Sequence, residues 1–167
     1  GLHGSPQFPA GTIAVKSGSL MASADFFRMV IQGKGCHGAD PASAIDPVIV
    51  AAHITTALQT VVSREVDPRQ PAVVTVAHIE AGTTTNIIPD TALLEGTIRS
   101  FDPETDALLR EAIERIAGHT AQAFRASASV TFGEKAYPPL LNDAAMTELL
   151  IDSACRTIGA ANVVVLT

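Results

Sequence analysis

From Ala24 to Phe132 the apolar pattern changes period in the order strand, helix, strand, strand, helix, strand, and this order constrains the fold most. Ala24 to Gln32 alternates with period two. Pro47 opens a run in which Ala51, Ile54, Leu58, Val61 and Val62 fall on one helical stripe. Asp46 stands as its N-cap, and Asp67-Pro68 and Pro71 stop it. Ala72 to Ile79 is β-branched and reads as a strand. Thr91 to Phe101 sets Leu93, Glu95, Thr97 and Arg99 against Leu94, Gly96, Ile98 and Ser100. Asp102-Pro103-Glu104 starts a second helix, whose face runs through Leu109, Ile113, Ile116, Thr120 and Ala123 to about Phe124. Ala128 to Phe132 closes the series. A β-α-β-β-α-β order at this size predicts an α+β, ferredoxin-like sandwich, with a four-stranded antiparallel sheet and two helices on one face.

The ends of the chain do not fit inside that sandwich. Thr12 to Val15 reads as a short strand closed by Ser17-Gly18. Asn142 or Asp143 caps a helix to about Thr157, and Ala161 to Leu166 reads as a strand. We expect 1–20 and 141–167 to be partial segments of a second, α/β domain, with the sandwich spanning 21–140. The sequence has no initiator Met and stops on Val163-Val164-Val165-Leu166-Thr167, so a piece of a longer protein is expected.

Composition excludes several classes. The 167 residues are 47% apolar and 17% charged, as in a soluble globular protein. No apolar run approaches the ~18 residues of a membrane span, so no membrane partner is expected. Net charge is −6 with no basic block, which argues against nucleic acid. No basic segment followed by an apolar one opens the chain, and Cys36 and Cys155 match no CxxC spacing. A cytoplasmic protein with two reduced thiols is the expectation, although the sequence leaves one disulfide open. There is no Gly-x-Ser-x-Gly elbow, no P-loop and no dinucleotide fingerprint.

The candidate chemistry concentrates at Gly33-Lys34-Gly35-Cys36-His37-Gly38-Ala39-Asp40-Pro41, between a strand and a helix. Its glycines let the backbone turn with positive φ or approach another group closely. They leave His37 at a corner, either reaching a ligand or a neighbouring subunit, or simply solvated. His3 is either a metal ligand or a surface histidine. His53 and His119 are assigned to structure or solvent, and His78, at a strand end, is given no role. No His-x-x-x-His or His-Glu pair has ligand spacing, so a complete metal site is not expected. Arg99 carries a fork suited to a carboxylate, or pairs with Glu95. Asn86, after three threonines, offers an amide donor to an oxyanion, or makes an Asx-turn.

Together Gly1-Leu2-His3, Gly33 to Ala39, Asp46-Pro47, Ala57 to Glu65, Thr85 to Asp90 and Glu95 to Phe101 resemble the metal-dependent amidohydrolases and peptidases. That family includes aminoacylases, hippurate hydrolases and auxin-conjugate hydrolases. The resemblance implies a two-domain enzyme: one domain with two divalent ions, zinc or manganese, and a smaller lid that pairs two subunits into a homodimer. This chain resembles the lid with short catalytic-domain flanks. By the resemblance, His3 is a metal ligand at the end of a catalytic-domain strand, and His37 reaches the partner subunit's active site to stabilise the tetrahedral intermediate. Asn86 and Arg99 contact an N-acyl amino acid substrate, Arg99 through its carboxylate. Cys36 departs from the family's usual Gly. The segments with most metal ligands and the general base have no counterpart here, so the chain alone is expected to be inactive and to bind no metal. The competing reading is a stand-alone ferredoxin-like interaction or small-ligand module without catalysis.

Overall fold

The computed structural model describes residues 3–133 and 137–166. In chain order the strands and helices are β1 (Ile13–Val15), β2 (Gly18–Met21), β3 (Asp25–Gln32), β4 (Cys36–His37), α1 (Pro47–Thr60), β5 (Ala72–Ala81) and β6 (Ile87–Ile88). There follow β7 (Thr91–Ser100), α2 (Pro103–Ala123), β8 (Ser127–Phe132), β9 (Leu140–Asn142), α3 (Ala144–Ile158) and β10 (Val163–Val165). They form two compact units, Ser23–Pro138 and the pair Gly1–Ala22 with Pro139–Thr167.

The larger unit is built on the antiparallel sheet β5-β7-β3-β8, the strand order of a ferredoxin-like sandwich. Its alternation follows from the sequence. In β3, Asp25, Phe27, Met29 and Ile31 are buried, while Phe26, Arg28, Val30 and Gln32 are exposed. β7 buries Ala92, Leu94, Gly96, Ile98 and Ser100. Both helices lie on that buried face: Val50, Ile54 and Leu58 of α1 and Leu109, Ile113 and Ala117 of α2 join Phe27, Met29, Leu94 and Ile98 in one core. Gly96 is required at mid-strand. A Cβ there would stand 2.1 Å from the Thr75 carbonyl oxygen and 2.4 Å from Phe27 Cζ.

Both helices start as the sequence predicts. Asp46 accepts the Val48 N–H at 2.8 Å, and Asp102 accepts the Thr105 N–H at 2.9 Å, each with Pro at the first position. The hydrogen bonds from the Thr105 backbone and side chain hold the Asp102 carboxyl below its usual range. Four local expectations change. α1 ends at Thr60 and widens into a π turn over Val61–Glu65, closed by the Val66 N–H to the Val61 carbonyl. The α2 stripe drifts onto Ala117 and Ala121 and leaves Ala123 exposed, because the helix advances 100° per residue. A bulge between Val76 and His78 flips the pleat of β5, so His78 lies inside the strand and faces the open side of the sheet. Ile87-Ile88, read as part of a turn, is a short strand on Cys36–His37.

A buried ion pair ties the sheet to α2. The Asp25 side chain is 1% exposed, and Arg110 donates to it and, at 2.7 Å, to Asp106. The guanidinium lies 4.9 Å from the Phe132 ring centre.

In the other unit β1 runs parallel to β10, and the unpredicted strand β2 pairs with β9. Asp143 caps α3 by accepting the Met146 N–H at 2.9 Å. Among the described residues no helix is long and apolar enough to cross a membrane.

Candidate functional site

The Gly33–Asp40 corner lies where β3 leaves the sheet beside the start of β7. Gly33 N–H donates to the Asp90 carbonyl and Gly35 N–H to the Asp90 carboxylate, both at 2.8 Å. Lys34 exchanges two backbone hydrogen bonds with Ile45 just before α1. Gly33, Gly35 and Gly38 are there for close approach: none of them has positive φ. A Cβ on Gly33 would stand 2.2 Å from the Ile45 carbonyl oxygen, and one on Gly35 2.8 Å from that of Ile88.

The corner carries His37 on β4, directly opposite Ile87 on β6. Beyond it, Gly38 N–H donates to the Asn86 carbonyl at 2.8 Å. This clasp brings His37 and Asn86 to one place, both exposed. The Ala39 N–H donates to His37 Nδ1 at 3.1 Å. Nδ1 is therefore the acceptor, and in the neutral ring the proton sits on Nε2, which can donate outward. Asn86 is oriented in a similar way. Thr84 Oγ1 donates to Asn86 Oδ1 at 3.0 Å, which points the Nδ2 amide away as a donor. Thr84 and Ala39 thus set the two side chains. The run of threonines before Asn86 was the available signal, but its hydrogen-bond direction was not. Cys36 Sγ faces Asp40 Oδ2 at 3.8 Å.

Arg99 is placed elsewhere. It lies near the other end of β7, eight residues from Thr91, or about 25 Å along the strand. Its guanidinium reaches the Ser23 carbonyl at 3.5 Å and stands 6.0 Å from the Phe26 ring centre. The alternative pairing of Arg99 with Glu95 does not form. Register sets Arg28 and His78 opposite Glu95 instead. Arg28 donates to Glu95 at 2.6 Å and His78 Nδ1 at 3.0 Å, making a polar row across the open face. The His78 hydrogen bond, together with Arg28, holds the Glu95 carboxyl below its usual range.

His3 belongs to the other unit and is exposed. Its Nδ1 donates to the Gly4 carbonyl at 2.7 Å, which leaves Nε2 as the lone-pair nitrogen. One imidazole is not a ligand set, and among the described residues no three His, Cys, Asp or Glu side chains gather. The described residues do not by themselves make a metal centre. His53 stacks on Phe124 at 4.6 Å between ring centres, a packing role, and His119 is exposed.

The M20 peptidase dimerisation domain matches residues 22–125. N-acetyl-L-cysteine deacetylase of Bacillus subtilis (strain 168) is 43% identical over 92% of this chain and 37% of that protein. IAA-amino acid hydrolase ILR1-like 4 of Arabidopsis thaliana is 35% identical over 98% of this chain and 38% of its own length. The crystal structure of Bacillus subtilis YXEP protein, a dinuclear metal binding peptidase from the M20 family, superposes with a TM-score of 0.73 at 33% identity, covering 98% of this chain and 39% of that one. The chain therefore spans about two fifths of the length of these relatives.

Proposed function

The chain belongs to the peptidase dimerisation domain family of the M20 peptidases, and we propose that it is the lid and pairing unit of a metal-dependent amidohydrolase that cleaves N-acyl amino acids. The relatives support that substrate class, one being a deacetylase of an N-acetyl amino acid and another an IAA-amino acid hydrolase. In this reading 1–20 and 141–167 are catalytic-domain segments, His3 is one of the metal ligands, and the remaining ligands of a zinc or manganese pair come from outside this chain. Two reduced thiols, Cys36 and Cys155, accord with a cytoplasmic location.

The observation that carries the reading is the fixed His37 tautomer beside Asn86. As an amide carbonyl becomes tetrahedral, charge builds on its oxygen, and an N–H already aimed there stabilises that charge more than it stabilises the ground state. His37 Nε2–H is the catalytic donor, and Asn86 Nδ2 the substrate-binding donor from the same clasp. Arg99 takes the substrate carboxylate. A small N-acyl amino acid cannot reach both His37 and Arg99 of one copy across about 25 Å of strand. His37 and Asn86 of one subunit therefore serve the substrate held by Arg99 of the other.

The second copy docks on β5, an edge strand that pairs with β7 on one side and with no other described strand on its outer side. Val73 and Ile79 are exposed along it, and Val48 and Ile49 are exposed on α1, which packs beside it.

The test uses an enzyme in which this chain is joined to the remaining segments found in its relatives. His37→Ala should lower kcat by about 10²–10³-fold with KM little changed. Mixing it with a variant dead at the metal site should restore part of the activity, since each mixed dimer assembles one site with intact parts. No recovery, with subunit exchange verified, would place His37 in its own subunit's site and overturn the reading in trans.

A further inference from the structure

The open face of the sheet holds a groove of about 430 Å³ at the end nearest the His37 corner. Its apolar walls come from Val30, Ile87, Pro89 and Leu93. Val30 is 37% exposed and Ile87 52%, so two aliphatic side chains stand in water beside a site for a small molecule. Register fixes which side the groove opens on. His37 and Ile87 are directly opposed across the β4–β6 ribbon. Opposed residues of an antiparallel pair send their side chains to the same face, with Cβ atoms about 5 Å apart. The imidazole and the groove therefore share a side and are joined by Ile87.

Charge decides which part of a substrate enters. Arg28 lies along the groove, but its guanidinium is committed to Glu95 at 2.6 Å. Glu80 also lines the groove, and its carboxylate has no hydrogen bond or ion pair among the described residues. Of the two charged residues that line the groove, the cation is already paired and the anion is not, so the groove offers a substrate carboxylate no unpaired cation and suits a neutral alkyl group. Its volume lies within the usual range for small-molecule sites, about 300–1,000 Å³.

We infer that this groove is the subsite for the aliphatic acyl group of an N-acyl amino acid. The inference rests on the reading of His37 as donor to the substrate's carbonyl oxygen, and it adds the place where the attached chain lies.

The test titrates the full 167-residue chain, labelled at its methyl groups and histidine rings, with N-acetyl-, N-butyryl-, N-hexanoyl- and N-succinylglycine, followed by NMR. Ile87 and Val30 methyls should move together with the His37 ring, and affinity should rise about fourfold per added methylene until the groove fills. N-succinylglycine should bind more weakly than N-butyrylglycine. Ile87→Asp and Val30→Asp, both at exposed positions, should each abolish the dependence on chain length. Movement of His37 without Ile87 and Val30 would overturn the subsite and leave the donor role standing. Movement of Ile87 and Val30 without His37 would overturn the link between them, and with it the donor reading. Affinity independent of acyl length, or no movement at tens of millimolar ligand, would also overturn the subsite.

Discussion

One sheet presents two faces, and adjacent residues of a single strand answer to different physics. Leu94 is fully buried under the helices, while Leu93, one residue earlier, borders the open groove. The covered face is held by close packing, where every methylene counts. The open face is held by backbone pairing from below and by surface polar contacts such as Arg28–Glu95–His78, so its side chains are free to vary with little loss of stability. A fold of this kind keeps stability on one side and leaves the other for recognition.

The largest expected effect tests that division directly. Leu94→Ala should cost about 2–5 kcal/mol in urea unfolding, because it removes a fully buried side chain and leaves a cavity. Leu93→Ala should cost under about 1 kcal/mol. Equal losses at the two positions would mean that the open face is covered in solution and that the comparison of faces is wrong.

The architecture was legible because periodicity and caps are local. Asp46 and Asp102 mark the helix starts, and the alternation of β3 and β7 is written in their side chains. The site was less legible because its neighbours are set by register. Glu95 meets Arg28 and His78 only because β7 lies between β3 and β5 and because the bulge at Val76/His78 shifts the pleat. Nothing in the linear pattern around His78 encodes that extra residue. Likewise the glycines at the corner were visible, but the carbonyls they approach come from Ile45 and Ile88, which the fold alone brings there.

The corner offers an intermediate case, since it is neither packed core nor open face. Gly33→Ala would drive a Cβ into the Ile45 carbonyl at 2.2 Å and the Pro47 ring at 2.9 Å, and both belong to backbone that leads into α1. Overpacking of this kind costs about 1–3 kcal/mol. The His37 ring resonances should shift with it, because Gly33, Asp90 and the clasp to Asn86 form one hydrogen-bonded frame. A full stability loss with unmoved His37 signals would show that the frame is not rigid and that β4 holds the histidine by itself.

The smallest effect lies on the open face, and its sign follows from linkage. Glu95 has an ordinary value of 4.5, lowered in the folded protein first by the His78 hydrogen bond and also by Arg28. A carboxylate with a depressed folded value stabilises the fold above its unfolded pKa, and that contribution is lost as pH falls through the folded value. His78→Ala should therefore move the Glu95 titration upward, because it removes the largest cause of the lowering and leaves Arg28 at 2.6 Å to work against desolvation. The variant should be slightly less stable than the parent above the unfolded pKa and equal to it in acid, once the carboxyl is protonated in both. Carboxyl-detected NMR of Glu95 gives the first quantity, and urea unfolding on either side of pH 4.5 the second. If Glu95 titrates identically in the two proteins, Arg28 alone sets its charge. The row would then reduce to a single exposed ion pair, of the kind that contributes little to stability.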